Sequence, residues 1–86
     1  MAMYIQNLQP GLVHNTSYVT VLANKTGRLI IKVLDIEGRI AKTVVANVSE
    51  GKQQLELNMG DLHSGRYVMN AFSGDTFIKS IRFIKQ

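Results

Sequence analysis

Leu29-Ile30-Ile31-Lys32-Val33-Leu34 runs directly into Asp35-Ile36-Glu37-Gly38-Arg39, and the reading of this stretch decides the fold class. Its first part is apolar apart from Lys32 and rich in side chains that suit a pleated surface. The run is too short for a helix and lacks the 3.6-residue period. It reads as a central strand, covered on both faces or on one face plus a partner. Gly38 then falls where a short hairpin needs a residue at positive φ. That is the three-residue loop in which a type I turn is closed by a Gly bulge. The chain turns back there into a second strand that begins at Arg39.

Outward from this hairpin the same grammar repeats. Turn signals recur at Pro10-Gly11, Asn24-Lys25-Thr26-Gly27, Glu50-Gly51, Asn58-Met59-Gly60-Asp61, Ser64-Gly65 and Ser73-Gly74-Asp75. Between them lie segments rich in Val, Ile, Leu, Thr and Tyr, which predict strands near Ser17–Ala23, Arg28–Asp35, Arg39–Asn47, Lys52–Asn58, Arg66–Phe72 and Thr76–Ile84. A weaker strand is placed at Tyr4–Leu8. Leu55, Leu57 and Met59 alternate with Gln54, Glu56 and Asn58, and Val19 and Val21 with Tyr18, Thr20 and Leu22, one face in and one face out. Short strands at this spacing predict a single all-β domain over residues 1–86, a two-sheet sandwich or a small barrel.

A second turn has its own signature. In Leu62-His63-Ser64-Gly65-Arg66-Tyr67 a Tyr follows a Gly at the start of a strand. This matches the tyrosine corner of Greek-key sandwiches, in which the phenol bonds to upstream main chain and ties the crossing to the strand.

Composition narrows the function. The 86 residues contain no Cys, which removes disulfides, thiolate metal sites and a Cys nucleophile. No apolar run reaches the roughly 20 residues needed to span a bilayer. Met1-Ala2-Met3-Tyr4 offers neither the basic nor the apolar part of a signal peptide. The net charge of +4 rests largely on the last segment, where Lys79, Arg82 and Lys85 are met by no acid from Thr76 onward. His14 and His63 read as ordinary loop histidines. The scattered acids suggest no acid–base pair, and no serine elbow or phosphate loop occurs. Asn15, Asn24 and Asn47 match the loose N-x-S/T pattern, which reads as chance in a chain with this much Asn, Ser and Thr. Catalysis, metals and cofactors are therefore not expected. Phe77 and Phe83 with the terminal cations could form half of a nucleic-acid platform. The favoured reading is a terminal edge strand with Phe inward and Lys or Arg outward, and no nucleic-acid partner is expected.

Taken in order, the motifs resemble a known family. They are the apolar strand Leu29–Leu34, Asp35 with Gly38-Arg39, Gly51, Leu55-Glu56-Leu57, then Leu62, Gly65 and Tyr67, then Gly74 and the basic strand Lys79–Lys85. Over about residues 8–86 this order resembles the type A C-terminal sorting domain of type IX secretion cargo. The resemblance implies an immunoglobulin-like β-sandwich of about seven short antiparallel strands with Greek-key connections. It implies an address rather than an enzyme, read by an outer-membrane translocon after transit through the periplasm. A surface sortase would then remove it, leaving the cargo on the cell surface or in the medium.

Carried over residue by residue, the structural motif is Asp35, Gly38, Arg39, Leu62, Gly65 and Tyr67. The recognition candidates are Lys79, Arg82, Phe83 and Lys85. The implied partners are the translocon, the sortase and a cargo domain N-terminal to this chain. Leu8-Gln9-Pro10-Gly11 stands where the family carries Pro-Asn-Pro. Together with the missing signal peptide, this leads to the expectation of a piece from the end of a longer protein, or a free-standing relative. Two other classes remain open at this point: an immunoglobulin-like or fibronectin-like accessory module, and a small basic barrel that binds nucleic acid.

Overall fold

Alternating apolar side chains carry the chain into eight strands in the computed structural model, which describes residues 3–86. They are β1 (Met3–Ile5), β2 (Leu12–Val13), β3 (Thr16–Ala23), β4 (Gly27–Leu34), β5 (Ile40–Val48), β6 (Gly51–Asn58), β7 (Gly65–Ser73) and β8 (Thr76–Lys85). One sheet has the order β1-β3-β6 and the other β2-β8-β7-β4-β5. The two stack as an immunoglobulin-like sandwich. No helix among the described residues is long and apolar enough to cross a membrane. The reading of Met1-Ala2 as part of an N-terminus without a leader lies outside the described residues.

The core forms where the two inner faces meet. Leu29, Ile31 and Val33 of β4 are fully buried, as are Val19 and Val21 of β3 and Met69 of β7, with Leu57 of β6 nearly so. Their neighbours Ile30, Lys32 and Leu34 are half-buried on the outer face. β4 is thus the central strand expected from its sequence, lying between β7 and β5 and covered on one face. The Leu57 and Met59 alternation holds through β6, both ending inside.

Two expectations are corrected. The N-terminal segment forms two strands instead of one, giving eight in place of about seven, and one of them is parallel. β1 pairs with β3 antiparallel, Tyr4 opposite Leu22. The chain then crosses to the other sheet, where Leu12 and Val13 lie parallel to Ile84 and Lys85. The Gln9–Pro10 peptide bond, which is cis, sits at this crossing. The crossing is held by paired main-chain bonds between Gln9 and Tyr18 (2.9 and 2.8 Å). It is held also by the buried Ser17 hydroxyl, which donates to the Pro10 carbonyl at 2.6 Å.

The second correction concerns β8. Its end is not an edge, since β2 pairs with Ile84 and Lys85: the Ile84 N–H donates to Gly11 (3.0 Å) and the Gln86 N–H to Val13 (2.8 Å). Nor do its aromatics all point in and its cations all out. Phe83 is buried, but Phe77 is 54% exposed and Lys85 only 7% exposed. The exposure of Phe77 comes from a bulge, whereas Lys85 lies two residues from Phe83 and shares its inward face. Ala71 pairs with Lys79 and Phe72 with Phe77, so Ile78 is an extra residue on β8. One inserted residue flips the alternation beyond it. Phe77 therefore faces outward and meets Phe72 edge-on, ring centres 5.7 Å apart. The Lys32 ammonium lies 5.3 Å from the Phe72 ring centre.

Candidate interaction site

The motif residues gather at one end of the sandwich, where β4 ends, β7 begins and β8 finishes. The first part is the Asp35 loop. The Gly38 N–H donates to the Asp35 carbonyl (3.0 Å) and the Asp35 N–H to the Arg39 carbonyl (2.9 Å), which closes the expected turn. Gly38 has φ +82°, a left-handed value that side chains other than Gly's adopt at a cost, although nothing lies within 4 Å of where a Cβ would stand. The Asp35 carboxylate accepts from the N–H groups of Glu37 (2.9 Å) and Arg39 (3.0 Å) and from the Arg39 guanidinium (3.4 Å). The Arg39 N–H above all, with the Glu37 N–H and the Arg39 charge, holds this carboxyl below its ordinary value of 3.8, against a smaller opposing effect of desolvation. Arg39 also grips Glu37. Asp35, Gly38 and Arg39 are therefore one self-contained clasp.

The second part is the corner between β6 and β7. The Leu62 N–H donates to Met59 (3.0 Å), and both side chains are buried. Gly65 opens β7 at φ +151°. The Tyr67 hydroxyl donates to the His63 carbonyl at 2.6 Å, the bond that the Gly-x-Tyr spacing predicts. The Tyr67 ring stacks on Phe83 with centres 5.5 Å apart and planes 17° from parallel. Asp61, on the same crossing, accepts from the Lys42 ammonium of β5 (2.9 and 3.1 Å). That bond chiefly lowers its pKa, outweighing a smaller effect of desolvation in the other direction.

The four recognition candidates separate in space. Arg82 is exposed on the outer face of β8. Phe83 is inside against Tyr67. Lys85 is largely buried, its ammonium on the Gln86 carbonyl (2.9 Å). Lys79 is half-buried and donates to the Ile5 carbonyl at 3.3 Å. The exposed Arg66 and Ile36 were not among the candidates, yet they share a surface with Arg82. Strand parity could have found Arg66, because its neighbour Tyr67 points inward. His14 and His63 are exposed, and no cluster of metal-ligating side chains occurs among the described residues.

Two stacked sheets closed by a tyrosine corner define the class: an immunoglobulin-like β-sandwich domain. The sequence profile of the secretion system C-terminal sorting domain matches residues 13–86, and the chain belongs to that family, the type IX sorting domains. No curated protein sequence matches it. Among solved structures it is similar to Pseudomonas fluorescens alkylpurine DNA glycosylase AlkC bound to DNA containing an abasic site analog, with a TM-score of 0.54 and 16% identity. The likeness covers 98% of this chain but 30% of that one, and it shows the fold alone. Membership makes the chain a sorting signal for export to the cell surface or medium.

Proposed function

We propose that the domain is a non-catalytic address, carried C-terminal to a cargo, passed through the periplasm and read by the type IX outer-membrane translocon and then by a sortase. The observation that carries this reading is that one family profile takes in the Asp35 clasp, the Tyr67 corner and the basic last strand together. The chemistry of these residues supports it. The Asp35 carboxylate and the Tyr67 hydroxyl are occupied by bonds to their own loops, which suits a role in holding shape. Recognition then rests on a surface displayed by rigid strands.

The test is a reporter with its own periplasmic leader, fused ahead of residues 1–86 in a bacterium with a type IX system. The full domain sends the reporter to the medium or cell surface. Deleting Phe83–Gln86, which removes both the Phe83 support of Tyr67 and the pairing with β2, abolishes this. A truncated fusion that still leaves the cell would overturn the reading.

A further inference from the structure

Beside the Asp35 clasp the outer face of the larger sheet carries two arginines, Arg66 and Arg82, without a polar partner among the described residues. In the β7–β8 ladder Arg66 stands opposite Ile84 and Val68 opposite Arg82. The two arginines are thus diagonal neighbours on one face, a relation that spans about 7–8 Å on a sheet. Val68 and Ile84 fill the other two corners. Ile36, at the tip of the Asp35 loop and 81% exposed, lines the same open cleft of about 470 Å³.

Asp35 also lines this cleft, but its carboxylate is already occupied by the N–H groups of its own loop. Neither guanidinium has a hydrogen bond or ion pair among the described residues. The nearby Asp35 and Glu37 are both engaged by Arg39. What remains free is a pair of cationic forks beside exposed aliphatic side chains.

We propose that this cleft binds an extended peptide segment of a partner protein in which a carboxylate side chain lies next to an aliphatic one. The carboxylate is held between Arg66 and Arg82, and the aliphatic side chain rests on Ile36, Val68 and Ile84. Guanidinium matches carboxylate in a paired, planar geometry that fixes orientation. An exposed ion pair adds little affinity by itself, so the aliphatic contact is needed to hold the segment. That same requirement favours a peptide over a phosphate polymer, which would use the arginines and leave Ile36 and Ile84 bare. The proposal deepens the sorting reading and rests on it for the source of the partner, a protein of the secretion machinery.

The test uses the ¹⁵N-labelled chain and two synthetic peptides, acetyl-Gly-Leu-Asp-Leu-Gly-amide and its Asn counterpart, with inorganic phosphate as a third probe. The Asp peptide shifts the amides of Ile36, Arg66, Val68, Arg82 and Ile84, and the Asn peptide binds about tenfold more weakly. The double variant Arg66→Ala/Arg82→Ala loses about the same factor while keeping the rest of its spectrum, and Ile36→Ser weakens the Asp peptide as well. The cleft proposal falls if these amides do not move, if the Asn peptide binds equally well, or if phosphate reproduces the shifts and Ile36→Ser has no effect. In cells, the double variant fused to the reporter is exported at least severalfold less than the unsubstituted fusion. Equal export of the two would overturn the cleft as the contact while leaving the sorting role intact. No export of the unsubstituted fusion would instead overturn the sorting role, and the peptide titration would then judge the cleft alone.

Discussion

At one end of the sandwich, beside the two-residue link at 14–15, lie the longer connections at residues 6–11, 35–39 and 59–64, and side chains that reach main chain help to fix them. Asp35 gathers the N–H groups of Glu37 and Arg39. Tyr67 donates to the His63 carbonyl, Ser17 to the Pro10 carbonyl, and Asn58 accepts from the Gly60 N–H at 2.9 Å. At the opposite end the connections are tight: residues 24–26, 49–50 and 74–75. There the Gly74 N–H reaches the Arg28 carbonyl (3.2 Å), and the Gln53 amide exchanges bonds with the main chain of Ser49 (2.9 and 2.7 Å).

Longer crossings leave more main-chain polar groups to satisfy and so lean more on side chains, although Gln53 does the same for the tight turn at 49–50. This is why the recognisable motifs fall at one end. It is also why that end can display Ile36, Arg66 and Arg82 on a firm base.

The comparison can be broken by substitution. The largest effect is expected for Tyr67→Ala, which removes the stack on Phe83 and the corner bond together. A buried aromatic truncation costs about 3–5 kcal/mol, and each kcal/mol lowers the melting midpoint of a domain this small by roughly 4–8 °C. Gly38→Val follows, at about 1–2 kcal/mol for forcing a side chain into the left-handed region. Tyr67→Phe keeps the ring and loses the bond to His63, about 1 kcal/mol. A Phe variant that melts with the unsubstituted chain would show that packing alone makes the corner.

The Asp35 clasp sharpens the comparison through pH. The folded-state pKa of Asp35 is depressed below 3.8, so the clasp's contribution is present above that value and is lost as pH falls through the lower one. The melting midpoints of the unsubstituted chain and Asp35→Asn should therefore differ near neutral pH and converge in acid, once the pH has fallen through the lowered Asp35 value. A constant gap would place the clasp's effect outside the carboxylate charge. The smallest change is expected at the opposite end, where Gln53→Ala costs under about 1 kcal/mol, because water replaces the lost partners of an exposed turn. A larger loss than for Tyr67→Phe would reverse the comparison.

The local features were legible because their causes are local. Gly38 three residues after Asp35 fixes a loop type, and Tyr67 two residues after Gly65 marks a corner whose hydroxyl bonds to upstream main chain. The β4 run and the Leu57–Met59 alternation place the core in the same way. What stayed hidden depends on partners distant in sequence. The two-residue β2 exists only because Ile84 and Lys85 lie alongside it. The bulge at Ile78 is visible only through its pairing with β7, and it undoes the expected orientation of Phe77. Lys85 is a different case: it reads as a surface cation, yet its two-residue spacing from the inward Phe83 already places it under the end of the sandwich. The candidate cleft was half legible. Arg82 stood out in the basic tail, but Arg66 and Ile36 join it only when β7, β8 and the Asp35 loop are side by side.

The central claim, that this sandwich is read as an export address, is tested most directly by fractionating cells that express a periplasmic reporter fused ahead of residues 1–86. Two strains are compared, identical except that one lacks the type IX translocon. The account predicts reporter on the surface or in the medium of the first and in the periplasm of the second. Periplasmic reporter in both strains would contradict it.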